Sequence, residues 1–154
     1  MIIRIGTEEN ICIDQVESSN LVRHVLGIGI RHPLWSGATG KTILANMDES
    51  ETGEVFNSLS KVGEVVLASG QAIDIDKFKN ELAEIRRTGY AISLGELTSV
   101  TAAVAAPIFE RNKVIGSIII TGPLPRFDEE LARSYSRLVI KAARNISMLL
   151  GSTY

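Results

Sequence analysis

With 154 residues, 45% of them hydrophobic and 22% charged, the chain has apolar material for one well-packed soluble domain and is short for two. A formal net charge of −2 and an aromatic content of 5% argue against direct nucleic-acid binding, whether by charge or by base stacking. The single cysteine, Cys12, excludes an internal disulfide framework and fits a reducing cytoplasm. No apolar run reaches the length of a membrane span, and the start (Met1-Ile-Ile-Arg-Ile-Gly6) lacks the basic region and long apolar core of a signal peptide.

Residues 1–5 and 11–16 read as two short strands around the polar turn 7–10. Another turn follows at 18–20. Over 21–28 apolar residues alternate with Arg23 and His24, which predicts a third strand of an antiparallel meander; Gly27 and Gly29 mark a bend or bulge at its end.

The stretch 31–45 organises the rest. Pro33 closes an extended segment, Gly37 and Gly40 bend the chain, and Ile43, Leu44 and Met47 fall at helical spacing. Small residues running straight into a helix leave backbone N–H groups unpaired and pointing outward. With the helix dipole, these suit a carboxylate or phosphate. The alternative is an ordinary helix start whose glycines serve only packing. Gly37-Ala-Thr-Gly40-Lys41-Thr42 also looks like the second half of a nucleotide-binding P-loop, but the position that needs the first glycine holds Trp35, and no buried strand leads in.

Beyond the central helix, Asp48 and Glu51 have the spacing of a capping box, and Val55, Phe56, Leu59 and Val62 predict a second short helix. Residues 65–73 are irregular, and Asp74 or Asp76 caps the next element. There Phe78, Leu82 and Ile85 share one helical face opposite a charged one, Arg86 and Arg87 occupy the last turn, and Gly89 ends the helix in a left-handed cap.

Strands return at 90–94, then at 100–109 and 114–121, the last two forming a hairpin across 110–113 with Asn112 suited to the left-handed conformation. Ala102, Ala103, Ala105 and Ala106 are small for a strand and leave space above the sheet, while Pro107 calls for an edge or a bulge. Gly122-Pro-Leu-Pro125 breaks the chain. Asp128 then caps a long final helix, with Leu131, Tyr135, Leu138, Val139, Ala142, Ile146, Leu149 and Leu150 as its apolar stripe and Gly151 as its end. Strands, helices, strands, helix: this order predicts an α+β fold, helices flanking an antiparallel sheet.

Three segments taken together resemble one family. They are Arg31-x-Pro-Leu-x-Ser-Gly-Ala-x-Gly-Lys-x-x-Leu-Ala45, Glu84-Ile-Arg-Arg-x-Gly-Tyr-Ala91, and Val104-Ala-Ala-Pro-Ile-Phe109 followed by a strand ending in Thr121-Gly-Pro123. Their order and spacing are similar to the effector-binding domain of IclR-type transcriptional regulators, over residues 11–151. The resemblance implies a GAF-like antiparallel sheet flanked by helices that binds a small organic acid and contributes to homodimer or homotetramer assembly. It also implies that DNA is met only through a separate winged helix-turn-helix domain, which has no counterpart in these 154 residues. By motif match the acid rests on amides near Gly37, Ala38 and Thr39, and the other walls come from Ser93, Ala103, Ile119 and Thr121. Ala103 and Ile119 stand where family members that bind small polar acids tend to carry polar side chains, so the expected ligand has an apolar portion and one anionic end.

The remaining candidates are weaker. His24, His32 and Cys12 lack a metal-ligand spacing, Ser36 and Ser117 lack partners for nucleophilic catalysis, and no cofactor or metal is implied. His32 fits a pocket mouth or a local hydrogen bond, Arg31 a solvated charge, and Trp35 the core or a pocket wall. Lys41, one turn into the helix, either reaches a carboxylate or lies on the surface. The reading is therefore a sensor domain rather than an enzyme. A ligand-free assembly module is the second reading, and a nucleotide-binding enzyme the third.

Overall fold

The computed structural model describes residues 1–21 and 23–153. Strands β1 (Ile2–Ile5), β2 (Glu9–Cys12) and β3 (Arg31–Pro33) are followed by helices α1 (Gly37–Ala45), α2 (Glu49–Val62) and α3 (Ile75–Thr88). Strands β4 (Ala91–Leu94), β5 (Thr101–Glu110) and β6 (Lys113–Pro123) come next, then a 3-10 turn (Leu124–Arg126) and the long helix α4 (Glu129–Leu149). The strands form one six-stranded sheet in the order β3-β2-β1-β6-β5-β4, antiparallel at every pairing. The fold is α+β, with helices on both faces of an antiparallel sheet.

Residues Thr101 through Ile108 of β5 are all buried. A strand covered on one face alternates; this one does not, because each face carries helices. Ala103 and Ala105 face α1, α2 and α3, in a core with Ile43, Leu44, Phe78 and Leu82. Ala102, Val104, Ala106 and Ile108 face α4. The alanine run thus lets helices approach closely from both sides. Pro107 lies past the last pairing with β4 (Ala91 with Ala105), where β5 has only β6 beside it, and the register shifts at Ile108/Phe109. Both turn residues of the hairpin, Arg111 and Asn112, take positive φ, the conformation that a two-residue antiparallel turn requires.

Several expectations hold in detail. Asp74 caps α3 by accepting from the N–H groups of Asp76 and Lys77, Gly89 closes it in the left-handed conformation, and Asp128 accepts from Leu131 N–H at the start of α4. Others need correction. The predicted strand at 21–28 contains Val22, which lies outside the described residues; around it the chain forms a loop, with Leu21 98% exposed. Its alternating charges reflect an ion pair, Arg23 to Glu17 at 2.8 Å, and the third strand is instead Arg31–Pro33, paired with β2. The capping box at Asp48 is incomplete: the Asp48 side chain makes no cap, and the Glu51 carboxylate is bound chiefly by the Arg4 guanidinium, which, with the Asp48 backbone, holds it below the usual carboxylate range. On α4, Leu138 and Leu149 are exposed, while Ala132, Ser136, Val139, Ala143 and Ser147 meet the sheet. Small residues lead here because they let the helix backbone close on the alanines of β5. Ser147 Oγ then accepts from Phe109 N–H at 2.9 Å.

Candidate functional site

Helix α1 begins where the sequence placed an anion cradle. Gly37 has φ +77, and a Cβ on Gly40 would come within 2.6 Å of the Leu34 carbonyl oxygen, so only glycine lets the β3 exit lie against the first turn. Ser36, the residue before the helix, does not cap it; its Oγ donates to the Glu96 carbonyl at 3.2 Å. The cap comes from a distant part of the chain. Gly37 N–H donates to Glu96 Oε2 at 3.2 Å, and Glu96 Oε1 accepts from Lys41 Nζ at 2.6 Å. The first amide of the cradle thus carries the protein's own carboxylate.

Lys41 is 2% exposed. Besides Glu96 it reaches Glu81 Oε1 on α3 at 2.5 Å and the Ile92 carbonyl on β4 at 3.3 Å. One ammonium therefore ties α1 to α3, β4 and the loop after β4, settling its two possible placements in favour of the carboxylates. At the other end of α1, Arg86 donates to the carbonyls of Ala45 and Met47 at 2.6 and 2.9 Å. A carboxylate at the N-terminus and a guanidinium at the C-terminus both match the helix dipole. Sequence reasoning missed Glu81 and Glu96 as partners. The available signal was Lys41 itself, the one charge in a helix of small and apolar residues with no polar face.

The register of the last strands gathers the other predicted residues. Ser93 pairs with Ala103, and Ala103 with Thr121, so the three share one rung and one face. On the next rung Ala91, Ala105 and Ile119 are aligned likewise. Ala38, Ala103 and Ile119 belong to one packed cluster under α1. Thr39 is buried beside them, its carbonyl accepting from Thr42 Oγ at 2.9 Å.

What the structure does not do is open this region into one cavity. Gly37, Ala38, Thr39, Ser93 and Ala103 are all buried. A groove of about 900 Å³ lies alongside β6 instead, and of the predicted residues it touches only Ile119 and Thr121; His24, Leu26, Asp14 and Arg126 complete that part of its wall. Thr121 Oγ donates to the Ala102 carbonyl at 2.9 Å and lies 3.2 Å from His24 Nδ1. Burial pushes both His24 and His32 below the ordinary imidazole value, and His32 adds to the shift at His24. His32 Nε2 and Asn10 Oδ1, paired across β2 and β3, are buried without a hydrogen-bond partner among the described residues. Arg31 forms an exposed ion pair with Glu9 at 3.2 Å, and Trp35 packs half-buried against the core.

Comparison with known proteins agrees with this architecture. The family model described as bacterial transcriptional regulator IclR C-terminal matches residues 1–148. The chain is similar to the HTH-type transcriptional regulator KipR of Bacillus subtilis, 32% identical over 99% of this chain and 60% of that protein. It is similar to the transcriptional repressor IclR of Escherichia coli, 29% identical over 93% of this chain and 52% of that protein. It therefore spans about half the length of these curated relatives. The crystal structure of the Thermotoga maritima IclR superposes with a TM-score of 0.84 at 31% identity, covering 97% of this chain and 60% of that one. These relatives are transcriptional regulators, and among the described residues no helix is long and apolar enough to cross a membrane. The chain belongs to the IclR family of bacterial transcriptional regulators, as their C-terminal domain.

Proposed function

We propose that the chain is a sensing and oligomerisation domain that binds a small organic acid with an apolar portion. The observation that carries this reading is the shared rung of Ser93, Ala103 and Thr121, whose middle residue, Ala103, packs in one cluster with Ala38 at the start of α1. The carboxylate would take the amides of Ala38 and Thr39, next after the one Glu96 holds. Thr121 and Ser93 supply hydroxyls, while Ala103, Ile119 and Leu26 supply apolar walls. Ligand contacts to α1 and the last strands favour one arrangement of a homodimer or homotetramer over another, a population shift. DNA would be contacted only through a separate winged helix-turn-helix domain, consistent with the greater length of the regulators that this chain resembles. A single domain acting in the cytoplasm, without catalysis, completes the reading.

Glu96 on the first cradle amide, with Ala38, Thr39 and Ser93 closed, favours the second reading of a ligand-free assembly module. A thermal-shift screen against aliphatic and aromatic carboxylates separates the two. A ligand at a hundredfold over its dissociation constant adds roughly 2.7 kcal/mol, an easily read shift. Silence across a broad acid panel would leave the assembly module.

A further inference from the structure

The loop between β2 and β3 brings one imidazole onto the effector face of the sheet. His24 Nδ1 lies 3.2 Å from Thr121 Oγ, and His24, Thr121, Ile119 and Leu26 share the wall of the groove beside β6. The hydroxyl of Thr121 has a single proton, which its 2.9 Å bond sends to the Ala102 carbonyl. With Thr121 Oγ as the acceptor towards His24, the contact favours the tautomer that carries the ring proton on Nδ1. In a neutral imidazole the other nitrogen, Nε2, is left as a lone-pair acceptor. Burial first, and the neighbouring His32 second, lower its proton affinity and favour the neutral ring.

A second acceptor lies on the same face. Ser117, Ile119 and Thr121 alternate along β6; Ser117 is paired with Ile2, Ile2 with Cys12, and Asn10 lies two residues from Cys12. Asn10 donates its amide N–H to the Pro33 carbonyl, which orients Oδ1 the other way, buried and without a donor among the described residues. Ser117 Oγ, on the same face, is likewise buried without a partner among the described residues, so the face holds acceptors and one hydroxyl, and His24 Nε2 is the acceptor on the groove wall.

We infer that His24 is a specificity-determining residue of the effector site, its Nε2 accepting a hydrogen bond from a hydroxyl carried by the bound acid. The inference rests on the acid-effector reading above and narrows it from carboxylic acids in general to hydroxy acids. A hydroxyl is the donor that fits. It brings no charge among Leu26 and Ile119, whereas an ammonium would be drawn to the groove's own carboxylates, Asp14 and Glu17.

The test uses the 154-residue chain with two matched pairs of probes, 4-hydroxyphenylacetate against phenylacetate and 3-hydroxybutyrate against butyrate, titrated by calorimetry. In at least one pair the hydroxy acid should bind about tenfold tighter, the value of one neutral hydrogen bond. His24→Leu, which keeps the apolar bulk on a loop, should bind both members of that pair equally. A preference that survives in His24→Leu, or a wild-type chain that binds acids without favouring the hydroxyl, overturns the role of His24 while leaving the acid reading intact. A chain that binds no acid removes both. Imidazole ¹⁵N spectra of the wild type give an independent readout: the free chain should show the Nδ1–H tautomer of His24, and only the hydroxy acid should shift Nε2. The opposite tautomer in the free chain overturns the inference whatever the affinities.

Discussion

Lys41→Met tests the buried charge cluster that closes the start of α1. The Lys41 side chain is 3% exposed, that of Glu96 16% and that of Glu81 45%. Removing the ammonium strands Glu96, which retains the Gly37 N–H as a partner, whereas Glu81 is free to turn to solvent. Breaking a fully buried pair costs about 3–5 kcal/mol, and the exposure of Glu81 argues for the lower end, about 3 kcal/mol. For a chain of this length that is a fall in melting temperature of roughly 6–12 °C. Lys41→Met/Glu96→Gln should recover about half or more of the loss, because glutamine stays an acceptor for Gly37 and carries no charge. Calorimetric melting of the two variants and the wild type is the assay. If Lys41→Met melts within about 2 °C of wild type, the ammonium is not paired as described. If the double variant is no better than the single, stranded charge is not the source of the loss.

Other perturbations address the site and the strained turn. Thr121→Val removes the hydroxyl between His24 and the Ala102 carbonyl and should weaken acid binding by about tenfold with fold and oligomer unchanged; unchanged affinity in calorimetry would take Thr121 out of the site. Ala38→Pro deletes a cradle amide at a helical position that tolerates proline, so a folded variant by circular dichroism should no longer bind acids. Gly40→Ala drives a Cβ to 2.6 Å from the Leu34 carbonyl oxygen, with Pro33 backbone behind it, and should destabilise by about 1–3 kcal/mol in denaturant melts. His24 and His32 are held below their unfolded value of 6.5, so the unfolded chain binds more protons in that window. Stability should be flat above about pH 7 and fall as the pH drops below 6.5, and His24→Gln/His32→Gln should remove that slope; a wild-type slope that persists in the double variant assigns it to other groups.

Local chemistry was legible in the sequence and long-range chemistry was not. The caps Asp74, Gly89 and Asp128, the α3 face of Phe78, Leu82 and Ile85, and the β5–β6 hairpin each depend on residues a few positions apart, and each appears as expected. The misreadings share one cause, a distant partner. Glu51 looks like a local capping residue, yet its main partner is Arg4, 47 residues away. The α4 stripe looks centred on its leucines until the alanines of β5 admit Ala132, Ala143 and Ser147 more closely. In the stretch predicted as a strand, Leu26 packs on the core and His24 meets Thr121 from a loop, while Leu21, Val25 and Ile28 are exposed. Within the site, the motif match supplied Ser93, Ala103, Ile119 and Thr121, and strand register puts them on two adjoining rungs. His24 and Glu96 had no local signal at all.

The alanine run explains why this site is closed and which part of it can yield. Ala103 and Ala105 were expected to leave room above the sheet, but α1 descends into that room until Ala38 joins the same cluster. A ligand lodged there must displace something. Helix α1 is pinned at its N-terminus by Glu96, through its middle by Lys41 and at its C-terminus by Arg86, and moving it would break buried ion pairs and hydrogen bonds together. The loop before β3 is tied at its ends by backbone bonds of Cys12 with Gly29 and Ile30 and of Met1 with Ile13 and Asp14, and between them by the packing of Leu26, the half-buried His24–Thr121 contact and an exposed ion pair. Its apolar residues Val16, Val25 and Ile28 are exposed rather than packed. The element of lowest local stability is the one that opens at least cost. On the proposed reading, an effector that enters beside β6 would move the His24 loop, and α1 would answer through the rung of Thr121, Ala103 and Ser93.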